Sequence, residues 1–518
     1  MIKKIFFPLF FALFCAVILG LSIRGHPGNP KSNDLNSPYW KDDGPLELSP
    51  DRGRFVLTYS LVEDNSFFFS TDLARFTTPD LGYFKGKYVS LFAPGLSYLL
   101  IPGYYLGRYF GASQIGALSV VSLIALFNVM LIRAIAVRLG SGSVASTIAG
   151  LLFIFATPAF AYSVALYQHH VSTFLILSAI YLFLRWNNFW SLSLIWFLCA
   201  ASIPIDYPNL FLMFPIGLAA LGRIVVFEKT SEGINFNLRI LRILSIFSAV
   251  IPLIFFLWFN GKSYGNPFQF SGTIPRILEF DEENKPVVKI SSSATNKDQI
   301  SDPADQKKSA VKFFNSRNLL NGFNIHFVSP DRGLLFFSPV LLTGIIGVYF
   351  LYQTNRNITG LLLSIIGVNI LLYSMWGDPY GGWAFGSRYL IPGYSLISIF
   401  IAIALNNLRK KRIFLFFFIL LAVFSISVNT LGALTTNRNP PIIEAIPLSE
   451  ITGKKEKYSF DLNIDYLKDG RSKSFVYQTY FQKYLHAREY YLMVNGLIII
   501  FCLILTLNLY KIKHNDQP

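Results

Sequence analysis

The sequence predicts an all-α polytopic membrane protein, and three observations carry that expectation. Of the 518 residues 53% are hydrophobic and only 14% charged, with Phe contributing 50. The apolar residues come in runs of about 20, the length a helix needs to cross a bilayer core of roughly 30 Å. These runs are continuous, without the alternation of a membrane β-barrel.

Spanning helices are expected near 5–23, 113–132, 144–164, 170–186, 189–204, 207–223, 241–260, 332–353, 357–376, 389–405, 413–432 and 492–511. Lys3 and Lys4 ahead of the first apolar run fit a secretory signal. That run is long and no small-x-small cleavage site follows, so it reads as a retained helix. With the N-terminus inside, the inner helix ends receive Lys3/Lys4, Arg133/Arg138, Arg185, Arg223/Lys229/Arg239/Arg242, Arg356, Arg409 to Arg412 and Lys511/Lys513. Every short inner loop is then basic, as the positive-inside rule requires. Leu96 to Phe110 is apolar too, but a span there would invert this pattern. It is therefore expected to lie at the interface under the first loop, a position that suits Tyr104, Tyr105 and Arg108.

The net charge of +16 would suggest nucleic acid in a soluble protein. Here inner-loop topology and anionic lipid or phosphate ligands account for it, and no nucleic-acid partner is expected. Cys15, Cys199 and Cys502 each lie in an apolar run and form neither a zinc spacing nor a disulfide framework.

Three large loops fall outside: 24–112, 261–331 and 433–491. The expected organisation is a transmembrane catalytic region over 1–432 that includes the first two loops, a cap or loop over 433–491, and a last helix with a cytoplasmic tail over 492–518. Residues 281–310 lack apolar periodicity and are expected to be mobile.

The unusual polar residues gather on this outer face, and charges near membrane depth tend to be functional. Asp51 follows Ser49-Pro50, which also reads as an ordinary helix start with an acid in its first turn. Asp80 sits in Thr-Pro-Asp-Leu-Gly, which is turn chemistry. Lys85 lies in the same loop. His169 and His170 flank a helix start; adjacent residues point different ways on a helix, so the pair is no two-histidine metal site. Asp206, before Tyr207-Pro208, reads as a helix-initiating turn, and Tyr264 closes the seventh span. Asp331-Arg332 opens the eighth. The run Gly381-Gly-Trp-Ala-Phe-Gly-Ser-Arg388 is more specific: its glycines allow close backbone approach, and an unpaired arginine at a helix start suits a phosphate.

Taken in order, these stretches resemble GT-C fold membrane glycosyltransferases, the group of the protein O-mannosyltransferases and lipid A aminoarabinose transferases. Asp51-Arg-Gly-Arg-Phe resembles the family's Asp-Glu-x-Arg-Tyr element, opening an amphipathic first-loop helix. Gly86-Lys-Tyr-Val-Ser-Leu-Phe-Ala-Pro-Gly95 resembles its Gly-x-x-Tyr-x-x-Lys-x-Pro-Gly loop. Trp383-Ala-Phe-Gly-Ser-Arg-Tyr-Leu-Ile-Pro392 resembles its Phe-Gly-x-Arg-Tyr-x-x-Pro stretch. Arg332-Gly-Leu-Leu-Phe-Phe-Ser-Pro339 and Tyr264-Gly-Asn-Pro-Phe268 recur in the same group. Arg52 replaces the family's second acid and Phe92 its lysine.

The resemblance implies a bacterial inner-membrane enzyme with both termini cytoplasmic. It would transfer a sugar from a polyprenyl-phosphate donor to a lipid, glycan or protein acceptor at the extracytoplasmic face. Asp51 is the expected general base. Arg388, with Arg332 and Lys85 in reserve, would bind the donor phosphate. Asp80, His169, Asp206 and Tyr264 would position sugar or acceptor. A divalent metal is compatible with the family but not demanded by these residues. Two other readings remain open. A lipid-linked sugar transporter or flippase would need polar residues at mid-membrane depth. A polysaccharide ligase or polymerase would place its key residues in the 433–491 loop.

Overall fold

A computed structural model describes residues 2–230, 233–281, 286–287 and 313–511. Among them, six helices are long and apolar enough to cross a membrane: Ser113–Arg138, Ile240–Tyr264, Arg356–Ser374, Arg388–Leu408, Arg412–Leu434 and Ala487–Lys511. Six shorter apolar helices accompany them: Phe7–Ser22, Ser143–Phe155, His169–Arg185, Phe189–Ala201, Asn209–Leu221 and Pro339–Thr354. Each falls on one of the spans expected from the sequence, and the chain is an α-helical integral membrane protein. The segment expected to be mobile, 281–310, lies almost wholly outside the described residues, as does Lys513.

Two expected helices are interrupted, for the reason proline imposes: it has no N–H to give the helix ladder. The 144–164 span breaks at Ala156-Thr157-Pro158 and resumes as the short helix Ala159–Ser163. Thr157 bridges the break, its hydroxyl donating to the Phe153 carbonyl at 2.6 Å and accepting the Ala159 N–H at 3.2 Å. His170 Nε2 donates to the Ala159 carbonyl at 2.7 Å. Asn128, from the neighbouring helix, donates to the His170 carbonyl at 2.9 Å. His170 is therefore a structural pin for the break. The 332–353 span is likewise divided, into Leu334–Phe337, a 3-10 turn at Pro339–Thr343 and Gly344–Thr354.

The apolar segment after the first loop forms the helix Gly95–Tyr109. It packs backbone to backbone on Ser113–Arg138, because a Cβ on Gly116 would lie 2.1 Å from the Gly103 carbonyl. Its other face holds the first-loop helix Ser49–Glu63, with Thr58 Oγ1 donating to the Ser97 carbonyl at 2.9 Å and Ser97 Oγ to the Arg54 carbonyl at 3.0 Å.

The Ser49–Glu63 helix corrects two expectations. It is not amphipathic, since every residue from Asp51 to Ser60 is buried. Its N-cap is Leu48, and Ser49 Oγ instead donates to Asp80 Oδ2 at 2.5 Å.

The three large loops are joined to one another, which the sequence did not signal. A hairpin of Leu81–Phe84 and Lys87–Ser90, turning through Lys85-Gly86, takes Arg276–Ile277 as a third antiparallel strand. The 433–491 region folds around the helices Ile442–Thr452 and Asp461–Lys468. It returns to the first helix, where the Phe475 N–H donates to the Ile23 carbonyl at 2.8 Å.

Candidate active site

The helix break at Thr157-Pro158 leaves Val164–Gln168 without regular structure, although these residues are buried. Buried backbone groups need partners, and the first-loop helix supplies them. Asp51 Oδ1 accepts the Leu166 N–H at 2.7 Å. Arg54 Nη1 donates to the Leu166 carbonyl at 3.3 Å and to the Pro50 carbonyl at 3.0 Å. Arg54 Nη2 donates to Gln168 Oε1, and Gln168 Nε2 to Asp206 Oδ2 at 3.0 Å. Asp51 and Arg54, one helical turn apart, thus clasp the backbone N–H and the carbonyl of one residue, Leu166. The other oxygen of Asp51 makes no hydrogen bond within the described protein.

Tyr167 stands at the centre of this arrangement. The Arg388 guanidinium lies 4.6 Å from its ring centroid and the Arg54 guanidinium 5.3 Å. His169 stacks on the same ring at 5.8 Å and meets Tyr389 edge-on at 6.0 Å. Tyr389 in turn stacks on Tyr373 at 4.4 Å. Tyr162 closes the group, 5.0 Å from Tyr167, and its hydroxyl accepts the Phe385 N–H at 3.1 Å.

Arg388 donates through Nη2 to the Gly381 carbonyl at 2.7 Å. Its Nε and Nη1 are buried without partners, as are Tyr167 Oη and His169 Nε2. Buried polar atoms are rarely left unpaired, and here four of them belong to three residues in mutual contact. Gly381 makes room for the arginine: its φ is +73°, and a Cβ there would lie 3.2 Å from Arg388 Nε. Asp378 holds this loop by accepting the N–H groups of Tyr380 at 3.1 Å and Gly382 at 2.6 Å.

The electrostatics differ between the two acids and the cations. Burial pushes the Asp51 carboxyl up to about 6, against the Leu166 N–H and the Arg54 charge, which pull it down. Burial likewise raises Asp206, opposed by Gln168 and Arg54. It lowers Arg54, which stays charged because an arginine starts so high. The Tyr167 hydroxyl is held well above its ordinary value, first by burial and then by Asp51.

Of the residues singled out in the sequence, Asp51, His169, Asp206 and Arg388 come together. Arg332 lies beside them with four of its five N–H groups bonded to carbonyls: Nε to Tyr380 at 3.1 Å, Nη1 to Asp331 at 2.8 Å, and Nη2 to Gly382 at 2.9 Å and Asn439 at 3.0 Å. It clamps the loop. Asp80 is away from the cluster, paired with Arg276 at 2.8 Å and with Ser49. Lys85 is exposed at the hairpin turn, with φ of 47° and its ammonium over its neighbour Phe84. Tyr264 is buried elsewhere, donating to the Ser90 carbonyl at 3.0 Å.

Arg54, Tyr167, Gln168, Tyr162, Tyr373 and Tyr389 complete the cluster and were not singled out as site residues. The signals available were modest: Arg54 follows Asp51 by one turn, and Tyr167-Gln168 is a polar pair beside two histidines. The two departures from the family pattern also find places. Arg52 turns away, donating to the carbonyls of Lys41, Leu46 and Glu47. The Phe92 ring lies 4.6 Å from the Arg54 guanidinium, where a lysine would set like charge against it. Gly53 leaves room for that ring, since a Cβ there would be 2.6 Å from it. Among the described residues no three His, Cys, Asp or Glu side chains are gathered as metal ligands.

No protein-family model matches the chain, and no curated protein matches it. Among solved structures, it is similar to ArnT from Cupriavidus metallidurans in the apo state, at 12% identity and a TM-score of 0.43, covering 97% of this chain and 76% of that one. It is similar to the same protein bound to undecaprenyl phosphate, at 11% identity and a TM-score of 0.47, covering 97% and 77%. It is also similar to an Archaeoglobus fulgidus oligosaccharyltransferase, at 15% identity and a TM-score of 0.40, covering 89% of this chain and 56% of that one.

Proposed function

We propose that this protein is a membrane glycosyltransferase that moves a sugar from a polyprenyl phosphate to an acceptor hydroxyl at the extracytoplasmic face. One observation carries the proposal. Asp51, with one oxygen unbonded, shares the Tyr167 wall with an arginine that has two buried, unpartnered nitrogens. A base and two unpartnered guanidinium nitrogens on one wall suit such a transfer. The donor class follows from the motif resemblance.

The acceptor oxygen attacks the anomeric carbon while the bond from that carbon to the phosphate oxygen breaks. The acceptor proton passes to Asp51, and the electron pair leaves with the polyprenyl phosphate. Its developing charge is met by Arg388 Nε and Nη1 and by the Tyr167 hydroxyl, donors already held in place by the buried cluster. The elevated Asp51 pKa makes the carboxylate a better base than an exposed aspartate while leaving it mostly ionised at neutral pH. Attack from the side opposite the phosphate would invert the anomeric configuration, as the resemblance implies. His169 and Asp206 border the space where the sugar would lie.

The test is transfer in vesicles that contain the purified protein, labelled polyprenyl-phosphate sugars and a native envelope extract. Asp51→Asn is expected to lower the rate by about 10²–10⁴-fold, the usual contribution of a positioned base. Transfer retained at the wild-type rate would sink the assignment.

A further inference from the structure

The second large loop, 261–331, returns to the membrane helices through residues 313–327. These are laid on the end of the Arg356–Ser374 helix and the three residues that follow it. The Asn315 N–H donates to the Met375 carbonyl at 2.7 Å, and the Gly377 N–H to the Phe313 carbonyl at 2.9 Å. The Phe313 ring stacks on Trp376 at 5.8 Å, and Asn318 Nδ2 donates to the Trp376 carbonyl at 3.0 Å. The helix Leu319–Phe327 then approaches so closely that a Cβ on Gly322 would lie 2.2 Å from the Ser374 carbonyl. Backbone contact at that range fixes this helix on the end of Arg356–Ser374, and His326 with it.

His326 is buried, and its Nδ1 lies 2.6 Å from the buried hydroxyl of Ser387. Ser387 is the N-cap of the 3-10 turn Arg388–Leu390, a position where a serine ordinarily bonds a helix N–H. Here the side chain caps nothing and is given to His326 instead. On the far side of Arg388, Tyr389 is held by the Arg356–Ser374 helix: Asn369 Nδ2 donates to its carbonyl at 3.0 Å, and Tyr373 stacks on its ring at 4.4 Å. Arg388 therefore lies between two anchored neighbours, one fixed by the second loop and one by the helix on which that loop rests. Burial pushes the His326 imidazole down to about 4, with the Tyr373 carbonyl opposing and the Arg332 charge adding to the effect. The residue is neutral at physiological pH and brings no further cation to the cluster, so its effect on Arg388 is one of placement.

We propose that His326 is a positioning residue for Arg388, acting through Ser387, so that the second loop forms part of the donor-phosphate seat. This rests on the function proposed above and extends the seat from the 381–388 loop to the second loop. A side chain already ordered loses little conformational freedom when its ligand arrives, which raises affinity.

The test is equilibrium binding of a polyprenyl phosphate to the full chain in nanodiscs. His326→Phe keeps a ring and removes the hydrogen bond; Ser387→Ala removes its other partner. Each is expected to weaken binding roughly 3- to 10-fold, the scale of one hydrogen bond. His326→Asn, whose amide puts a polar atom where Nδ1 stands, should restore most of it. The double variant should bind as each single variant does, because both remove one and the same interaction. In an Arg388→Met background, His326→Phe should change nothing further. In transfer assays the donor KM should rise while the acceptor KM and the acidic limb of the pH profile stay unchanged, a split that general loosening of the fold would not give. Should His326→Phe not fold, Ser387→Ala, which deletes one oxygen, carries the same comparison. Unchanged binding in either folded single variant, additive losses in the double variant, or a further loss from His326→Phe on top of Arg388→Met would overturn the proposal. Arg388→Met alone separates the two readings. If it binds as the wild type does, the phosphate seat itself is wrong; if it weakens binding while His326→Phe and Ser387→Ala do not, only the positioning role fails.

Discussion

Asp51 is ionised against the preference of its surroundings. Its pKa of about 6, against 3.8 for an ordinary aspartate, has a kinetic and a thermodynamic consequence. As a base it must be unprotonated, so kcat/KM should fall below an acidic limb near pH 6 and level off above it. A pH–rate profile in vesicles checks this, and a limb near 4 would remove Asp51 from the role. The folded state holds the proton more tightly than the unfolded chain does, so the group's contribution to stability declines as pH rises from about 4 through 6. Asp51→Asn keeps an acceptor for the Leu166 N–H and removes the buried charge. It should therefore be inactive yet at least as stable as the wild type at pH 7.5, with the difference vanishing near pH 4; thermal melts read this directly. Tyr167→Phe removes a buried hydroxyl that has no protein partner. It should leave stability intact and lower the rate roughly 10- to 100-fold, the scale of one hydrogen bond to a charged oxygen.

At the scale of elements, the site depends on three irregular segments held between regular helices. The 164–168 stretch is fixed by Asp51 and Arg54, the Gly381–Arg388 loop by Asp378 and Arg332, and the irregular 435–441 segment by Glu47 and Arg24. Gly381→Ala places a Cβ against Arg388 at a positive φ. The expected result is weaker donor binding, read as a raised donor KM, with transmembrane helicity unchanged by circular dichroism. Glu47→Gln leaves Arg24 buried without its counter-ion. Breaking a buried pair by removing one partner typically costs 3–5 kcal/mol, so this variant should melt markedly lower than Asp51→Asn. These segments also mark where sequence reasoning ends. Asp51, His169, Asp206 and Arg388 were legible because a charge or imidazole beside an apolar run is conspicuous. Arg54, Tyr167 and Gln168 were not, because their roles arise when a helix break brings 164–168 onto the first loop. Lys85 and Asp80 looked equivalent to the clustered residues until the hairpin and the Arg276 strand placed them elsewhere. The carbonyls around four of the five Arg332 N–H groups were likewise invisible in the sequence.

For the whole molecule, the apolar helices were legible because a bilayer fixes both the length and the polarity of what crosses it; of the twelve expected spans, six are long enough to cross among the described residues and six are shorter helices. What the pattern could not show is how the three outer loops interlock, since strand pairing and buried ion pairs between them join residues hundreds of positions apart. The proposed extracytoplasmic chemistry makes a topological demand. Single cysteines introduced at Lys85 and Lys454 should be labelled by a membrane-impermeant maleimide from the extracytoplasmic side, and one at Lys410 only after permeabilisation; the reverse pattern would place the site on the wrong face. The central claim is a division of labour across Tyr167, with Asp51 taking the proton and Arg388 holding the phosphate. It is tested most directly by equilibrium binding of a polyprenyl phosphate to nanodisc-embedded wild type, Asp51→Asn and Arg388→Met. The account predicts that Arg388→Met binds at least 10-fold more weakly, as loss of a charged hydrogen-bonding group implies, while Asp51→Asn binds as well as the wild type or better. Unimpaired binding by Arg388→Met, or lost binding by Asp51→Asn, would contradict it.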